Sequence, residues 1–97
     1  MVERIMLFKL VDSSTRDEVA ALTLEALGGL RKLEELSVGL PADATSGTSW
    51  DVSVVMGFSN QDELNVSLES PAFRDFMGHT LQGRCEVVKA WSFERLA

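Results

Sequence analysis

From Val2 to Leu10 the chain alternates so that neither side is polar. Val2, Arg4, Met6, Phe8 and Leu10 fall on one face of an extended strand, and Glu3, Ile5, Leu7 and Lys9 on the other. A strand apolar on both faces belongs in the middle of a sheet that is covered on both sides. The period of two returns at residues 50–58, where Val52, Val54, Met56 and Phe58 oppose Asp51, Ser53, Val55 and Gly57. Shorter alternations mark two further strands. Residues 34–40 place Leu36, Val38 and Leu40 on one face; residues 84–93 place Val87, Trp91 and Phe93 on one face and Val88 and Ala90 on the other.

The stretches between these strands read as helices. Thr15, Arg16, Asp17 and Glu18 have capping-box spacing, with the Thr15 hydroxyl and the Glu18 carboxylate serving backbone donors reciprocally. Val19, Leu22, Ala26, Leu30 and Leu33 then recur at helical spacing, weakened at the end by Gly28 and Gly29. Leu24 and Leu27 lie off that stripe, placed to meet a neighbouring element or a second subunit. Ser59 or Asn60 caps a second helix, whose first turn carries Asp62 and Glu63 and whose apolar face holds Leu64 and Leu68. Ser70 and Pro71 break it, because the residue before proline is steered out of the helical region. A further helix begins at Pro71, with Phe73, Phe76, Met77 and Leu81 on its buried side, Asp75, His79 and Gln82 opposite, and Gly83 at its end. Residues 41–49, PADATSGTS, are small and turn-forming without an apolar anchor, and read as a mobile loop, either a lid or a long hairpin connection.

This order, β-α-β-β-α-β, predicts an α+β, ferredoxin-like fold over a single domain, residues 1–97: a four-stranded antiparallel-edged sheet with helices on one face. Right-handed crossovers place strands one and three side by side and parallel. The opposite face then carries Ile5, Leu7, Val55 and one side of strand four, a patch that a monomer rarely exposes. Two sheets packed face to face cover it, which predicts a C2 homodimer.

Composition excludes several functions. With 45% hydrophobic and 25% charged residues the chain is globular, and a mean hydropathy of +0.07 is high for so small a domain. Nine basic residues against fifteen acidic ones give a net charge of −6 without a basic cluster, so no nucleic-acid partner is expected. The single cysteine, Cys85, forms no internal disulfide and no zinc cluster, which suits a reducing cytoplasm. The N-terminal run is interrupted by Glu3, Arg4 and Lys9, unlike a signal peptide, and no stretch reaches the length of a membrane span.

Four segments together, RIMLFKL at 4–10, LSVG at 36–39, WDVSVVMGF at 50–58 and SPAFRDF at 70–76, resemble the stress-responsive alpha-beta barrel (Dabb) family over nearly the whole chain. That resemblance implies a dimeric alpha-beta barrel built from two ferredoxin-like sheets. One branch of the family, plant polyketide cyclases, works by general acid-base chemistry without a metal. Aligned on its motifs, Arg4 stands at a strand histidine, Ser67 at a tyrosine and Phe73 at a histidine of the helix break. Arginine stays protonated, phenylalanine carries no transferable proton and an unactivated serine is a poor acid or base, so the cyclase reaction is not expected.

Arg4, in the alternation class of Met6 and Phe8, points between sheet and helices, where it either holds a carboxylate or enolate ligand or reaches water or a nearby carboxylate. Arg4, Met6, Phe8, Phe73 and Trp91 form the candidate ligand-binding set, each weighed against a role as packed core. His79, four residues after Asp75, reads as half of a surface pair, and Cys85 as a small buried or edge thiol. Asp51, Asp62, Glu63 and Glu69 read as caps and solvated charges. The expected function is that of a homodimeric barrel protein binding a small apolar or anionic molecule, with no cofactor, no metal and no catalytic residue assigned. The alternative is a cofactor-free cyclase, isomerase or monooxygenase acting on a small hydrophobic substrate.

Overall fold

The computed structural model describes all residues, Met1–Ala97. Strands β1 (Val2–Leu10), β2 (Glu35–Gly39), β3 (Val52–Phe58) and β4 (Cys85–Glu94) form one sheet in the order β2-β3-β1-β4. β1 is central, as its two apolar faces require. Helices α1 (Arg16–Leu27), α3 (Gln61–Leu68) and α4 (Pro71–Asp75), with a π-helical turn at Phe76–Thr80, belong to the two crossovers, and a short α2 (Ala44–Ser49) lies between β2 and β3.

All three strand pairings are antiparallel, β1 with β3 included. This corrects the parallel pairing of strands one and three. A crossover gives β2 the direction of β1, and the connection through α2 then reverses the chain, so β3 enters the sheet against β1.

Alternation assigns the two faces. Met6 stands between Val54 and Ala90, and Phe8 between Val52 and Val88, on the helix-covered inner face. Val19, Leu27, Leu64, Phe73 and Phe76 complete one core with them. The stripe of α1 is Val19, Thr23 and Leu27, so Leu27 is core and not a contact for another subunit, while Leu24 is 49% exposed. Thr23 replaces the expected Leu22 because its hydroxyl donates to the Val19 carbonyl at 2.7 Å, which satisfies it without water.

Three local expectations change. The capping box at Thr15 does not form: a 3-10 turn at Ser13–Thr15 precedes α1, capped by Asp12, and the Thr15 hydroxyl donates to the Asp12 carbonyl at 2.8 Å. Residues 44–49 are helical, because the Asp43 carboxylate accepts from the Ser46 N–H at 2.8 Å. Polar bonds anchor this helix where apolar ones are lacking: Arg16 Nη2 donates to the Gly47 carbonyl and Lys9 Nζ to the Thr48 carbonyl. The third change is at the helix break, where Ser70 caps α4 at Pro71 as expected but the helix widens into the π-helical turn before Leu81. Of the two caps the sequence offers for α3, Asn60 serves, and Gly83, at φ +76, ends the last turn as expected.

Candidate functional site

Arg4 projects from the inner face of β1 between Met56 and Ser92. Nη1 donates to the Ser92 hydroxyl at 3.1 Å. Its Nε is the one buried side-chain nitrogen or oxygen in the chain without a hydrogen-bond partner. The other half-buried cations around the sheet are committed: Lys9 and Arg16 to Asp51, Arg84 to Glu18, and Arg95 to Glu3 and Glu35. Arg4 is the cation that the fold half-buries and leaves without a carboxylate.

Of its expected companions, Met6 and Phe8 are sealed in the core, and Phe73 is 8% exposed beside Phe76, with ring centroids 6.4 Å apart. These three belong to one packed cluster and line neither of the two larger concavities. Trp91 is not with them. It pairs with Ile5 on the outer face and is 45% exposed, so the sheet separates it from Arg4. Strand four turns its small residues, Val88 and Ala90, toward the helices and its large ones away.

Two concavities lie elsewhere. One of about 340 Å³ sits between the end of α1 and the α3–α4 junction, lined in part by Leu30, Val66, Ser67 and Ser70. Both hydroxyls are engaged in holding backbone: Ser67 Oγ donates to the Arg31 carbonyl at 2.8 Å and Ser70 Oγ to the Ser67 carbonyl at 2.7 Å. Neither has a base beside it. The other, of about 430 Å³, opens on the outer face, floored by Leu7 and walled by Leu40, Pro41 and Trp50.

Behind that groove is a polar knot that sequence reasoning missed. Asp51, read as a solvated charge, is fully buried. Oδ2 accepts from the Leu10 N–H at 2.7 Å, and Oδ1 accepts from Arg16 Nε at 2.8 Å. Lys9 Nζ stands 3.9 Å from Oδ2. A lone carboxylate before a strand carries no local signal of this; only the pairing of β1 with β3 and the docking of α1 create it. Burial, and secondarily the charge of Asp51, pushes the half-buried Cys85 thiol up from its ordinary value. His79 and Asp75 form the expected exposed pair, Nδ1 to Oδ1 at 2.7 Å. The chain contains no cluster of three metal-ligating side chains, and no helix long and apolar enough to cross a membrane.

Comparison with known proteins places this geometry in a family. No curated protein matches the chain. Among solved structures, a Dabb family protein with a ferredoxin-like fold from Mesorhizobium loti superposes with a TM-score of 0.83 at 12% identity, covering 99% of this chain and 97% of that one. A dimeric protein of unknown function with a ferredoxin-like fold from Bacteroides fragilis gives 0.77 at 23% identity, covering 97% and 95%. SnoaB, a cofactor-independent oxygenase from Streptomyces nogalater, gives 0.75 at 12% identity, covering 99% and 93%. At these identities the likeness is one of fold. The family model of the stress responsive A/B barrel domain matches residues 2–94, and the chain belongs to that family.

Proposed function

We propose that this protein is a homodimeric alpha-beta barrel protein that binds a small apolar molecule through a carboxylate or enolate held by Arg4. The dimer half of this reading is supported by the outer face, where Ile5, Leu7, Val55, Trp91 and Phe93 share one surface without a covering layer, and by the dimeric neighbour from Bacteroides fragilis. Burying a side chain such as Phe93 is worth roughly 1.5–3 kcal/mol, and twofold symmetry counts each such residue twice.

One observation carries the ligand half: the unpaired, buried Arg4 Nε. A buried donor without an acceptor costs about 1–3 kcal/mol, and a planar guanidinium with Nε and Nη2 free suits a two-oxygen acceptor. Because Met6 and Phe8 are tightly covered, the ligand sits at the Arg4–Ser92 end of the sheet and not deep under the helices. Binding is favoured over turnover, since the polar neighbour of Arg4 is the Ser92 hydroxyl and not a second ionisable group. A lone thiol, Cys85, fits a reducing, cytoplasmic setting.

Native mass spectrometry of freshly purified protein, repeated under denaturing conditions, tests assembly and cargo together. Titration with 2-naphthoate and its neutral amide then tests Arg4. The expected result is a dimer that prefers the carboxylate, with Arg4→Ala weakening naphthoate about 10-fold or more and leaving the amide unchanged. Equal binding of both probes by both proteins would overturn the ligand reading, and a monomer the assembly.

A further inference from the structure

On the outer face the apolar side chains run along a diagonal. It starts at the groove beyond the end of β2, passes through Leu7, Ile5 and Trp91, and ends at Phe93 near the end of β4. The two remaining corners carry charge, the second of them around Val87, which is 38% exposed opposite Lys9. Arg95 bridges Glu3 and Glu35 at one, at 2.6 and 2.8 Å, and Lys89 stands toward the other.

This layout restricts how two copies meet. A twofold axis along the strands, or across them, sets an apolar corner of one copy on a charged corner of the other. Only an axis at about 45° to the strands lays diagonal on diagonal, and the strands of the two sheets then cross near 90°, one of the two ways in which sheets pack. Two such axes exist. One sets groove on groove and Phe93 on Phe93, leaving two hollows of about 430 Å³, walled by Leu40, Pro41 and Trp50, facing each other. The other brings Phe93, 55% exposed, to the groove of the second copy and fills both hollows. Close packing favours the second, and what it gives up, unlike charges meeting at exposed corners, is a weak and screened gain.

We propose that, in the homodimer on which this inference rests, Phe93 of each copy enters the groove of the other, over Leu7 and between Leu40, Pro41 and Trp50. The groove is then a receptor for a second copy of this chain and not for a small molecule. Its walls come from α2 and the ends of β2 and β3, so the α2 connection is an assembly element.

Disulfide trapping tests this. Leu40→Cys and Phe93→Cys are combined in a Cys85→Ser background and oxidised mildly, with sedimentation run on the same sample. The two positions flank opposite edges of the sheet, with two strands between, about 14 Å at the usual strand spacing and too far to bond within one chain. The expected result is a dimer carrying bonds between positions 40 and 93 by peptide mapping. A dimer without that bond, or one in which Phe93→Cys alone bonds to itself, overturns the inference and leaves the dimer standing. A monomer overturns both. Should the double variant fail to fold, Phe93→Ser, at an exposed position, is expected to weaken association by about 10-fold or more, and unchanged association would overturn the inference.

Discussion

Arg16 Nε donates to Asp51 Oδ1 at 2.8 Å, and through this bond the first residue of α1 holds the residue that precedes β3. Asp51 is fully buried, whereas the Arg16 side chain is 31% exposed, so the carboxylate depends on its partners more than the guanidinium does. Asp51→Ala strips the acceptor from the Leu10 N–H and from Arg16 together. We expect a loss of about 2–4 kcal/mol by urea unfolding, with Asp51→Asn losing less because its amide oxygen still accepts from Leu10. A loss below the scatter of surface substitutions would mean that the knot is not structural.

Phe8 distinguishes a packed core from a binding pocket. Its ring lies 6.2 Å from that of Phe76, tilted at 43°, and is fully buried. Phe8→Ala is therefore expected to cost about 3–5 kcal/mol of stability, as a cavity in a dense core does. A ring that lined an open pocket would be removed at little cost, so a small loss in the melt would reopen the space between sheet and helices to ligand.

Leu7 stands on the outer face between Ser53 and Lys89 and floors the groove. Leu7→Glu puts two carboxylates into the proposed interface, one from each copy and each with only Lys89 beside it. With a cost of roughly 3 kcal/mol or more, dissociation should strengthen at least about 100-fold, read by sedimentation across a dilution series. A variant that stays dimeric and equally stable would contradict the placement of this face.

Cys85 should be a slow thiol. Burial first, and Asp51 second, raise its pKa above the ordinary 9.0. The thiolate is the reactive form, so alkylation at pH 8 should run slower than in an unstructured peptide and rise at a higher pH than it does there. The linked stability has the same sign: the neutral thiol favours the folded state fully below the ordinary value, and the contribution is lost as pH rises through the folded value. Reaction at the peptide's rate would place Cys85 in an open, polar setting.

The sequence reading was reliable where the cause of structure is local. The limits of β1, the Asn60 cap, the break at Pro71 and the turn at Gly83 follow from alternation, capping chemistry and backbone freedom within a few residues. It failed where the cause is distant. Asp51 looked solvated because its partners, Leu10 and Arg16, are separated from it by 41 and 35 residues. Residues 44–49 looked mobile because their anchors are Arg16 and Lys9, outside any local window. Trp91 belongs to the candidate ligand set in the sequence, yet the register of β4 gives the inner face to Ala90 and turns Trp91 outward beside Ile5. Alternation alone points to Arg4, but the partner of its Nη1, Ser92, lies 88 residues away, outside any local window.

The α2 anchors also impose an order of events. Arg16 reaches Asp51 and the Gly47 carbonyl across 35 and 31 residues, and contacts of that span form only after a long loop has closed. The groove wall thus acquires its shape once α1 has docked on the sheet. The apolar diagonal needs the still longer-range pairing of β1 with β4, which sets Ile5 opposite Trp91, so neither half of the proposed contact is complete in a chain that has not finished folding, and pairing through Phe93 would be reserved for folded chains.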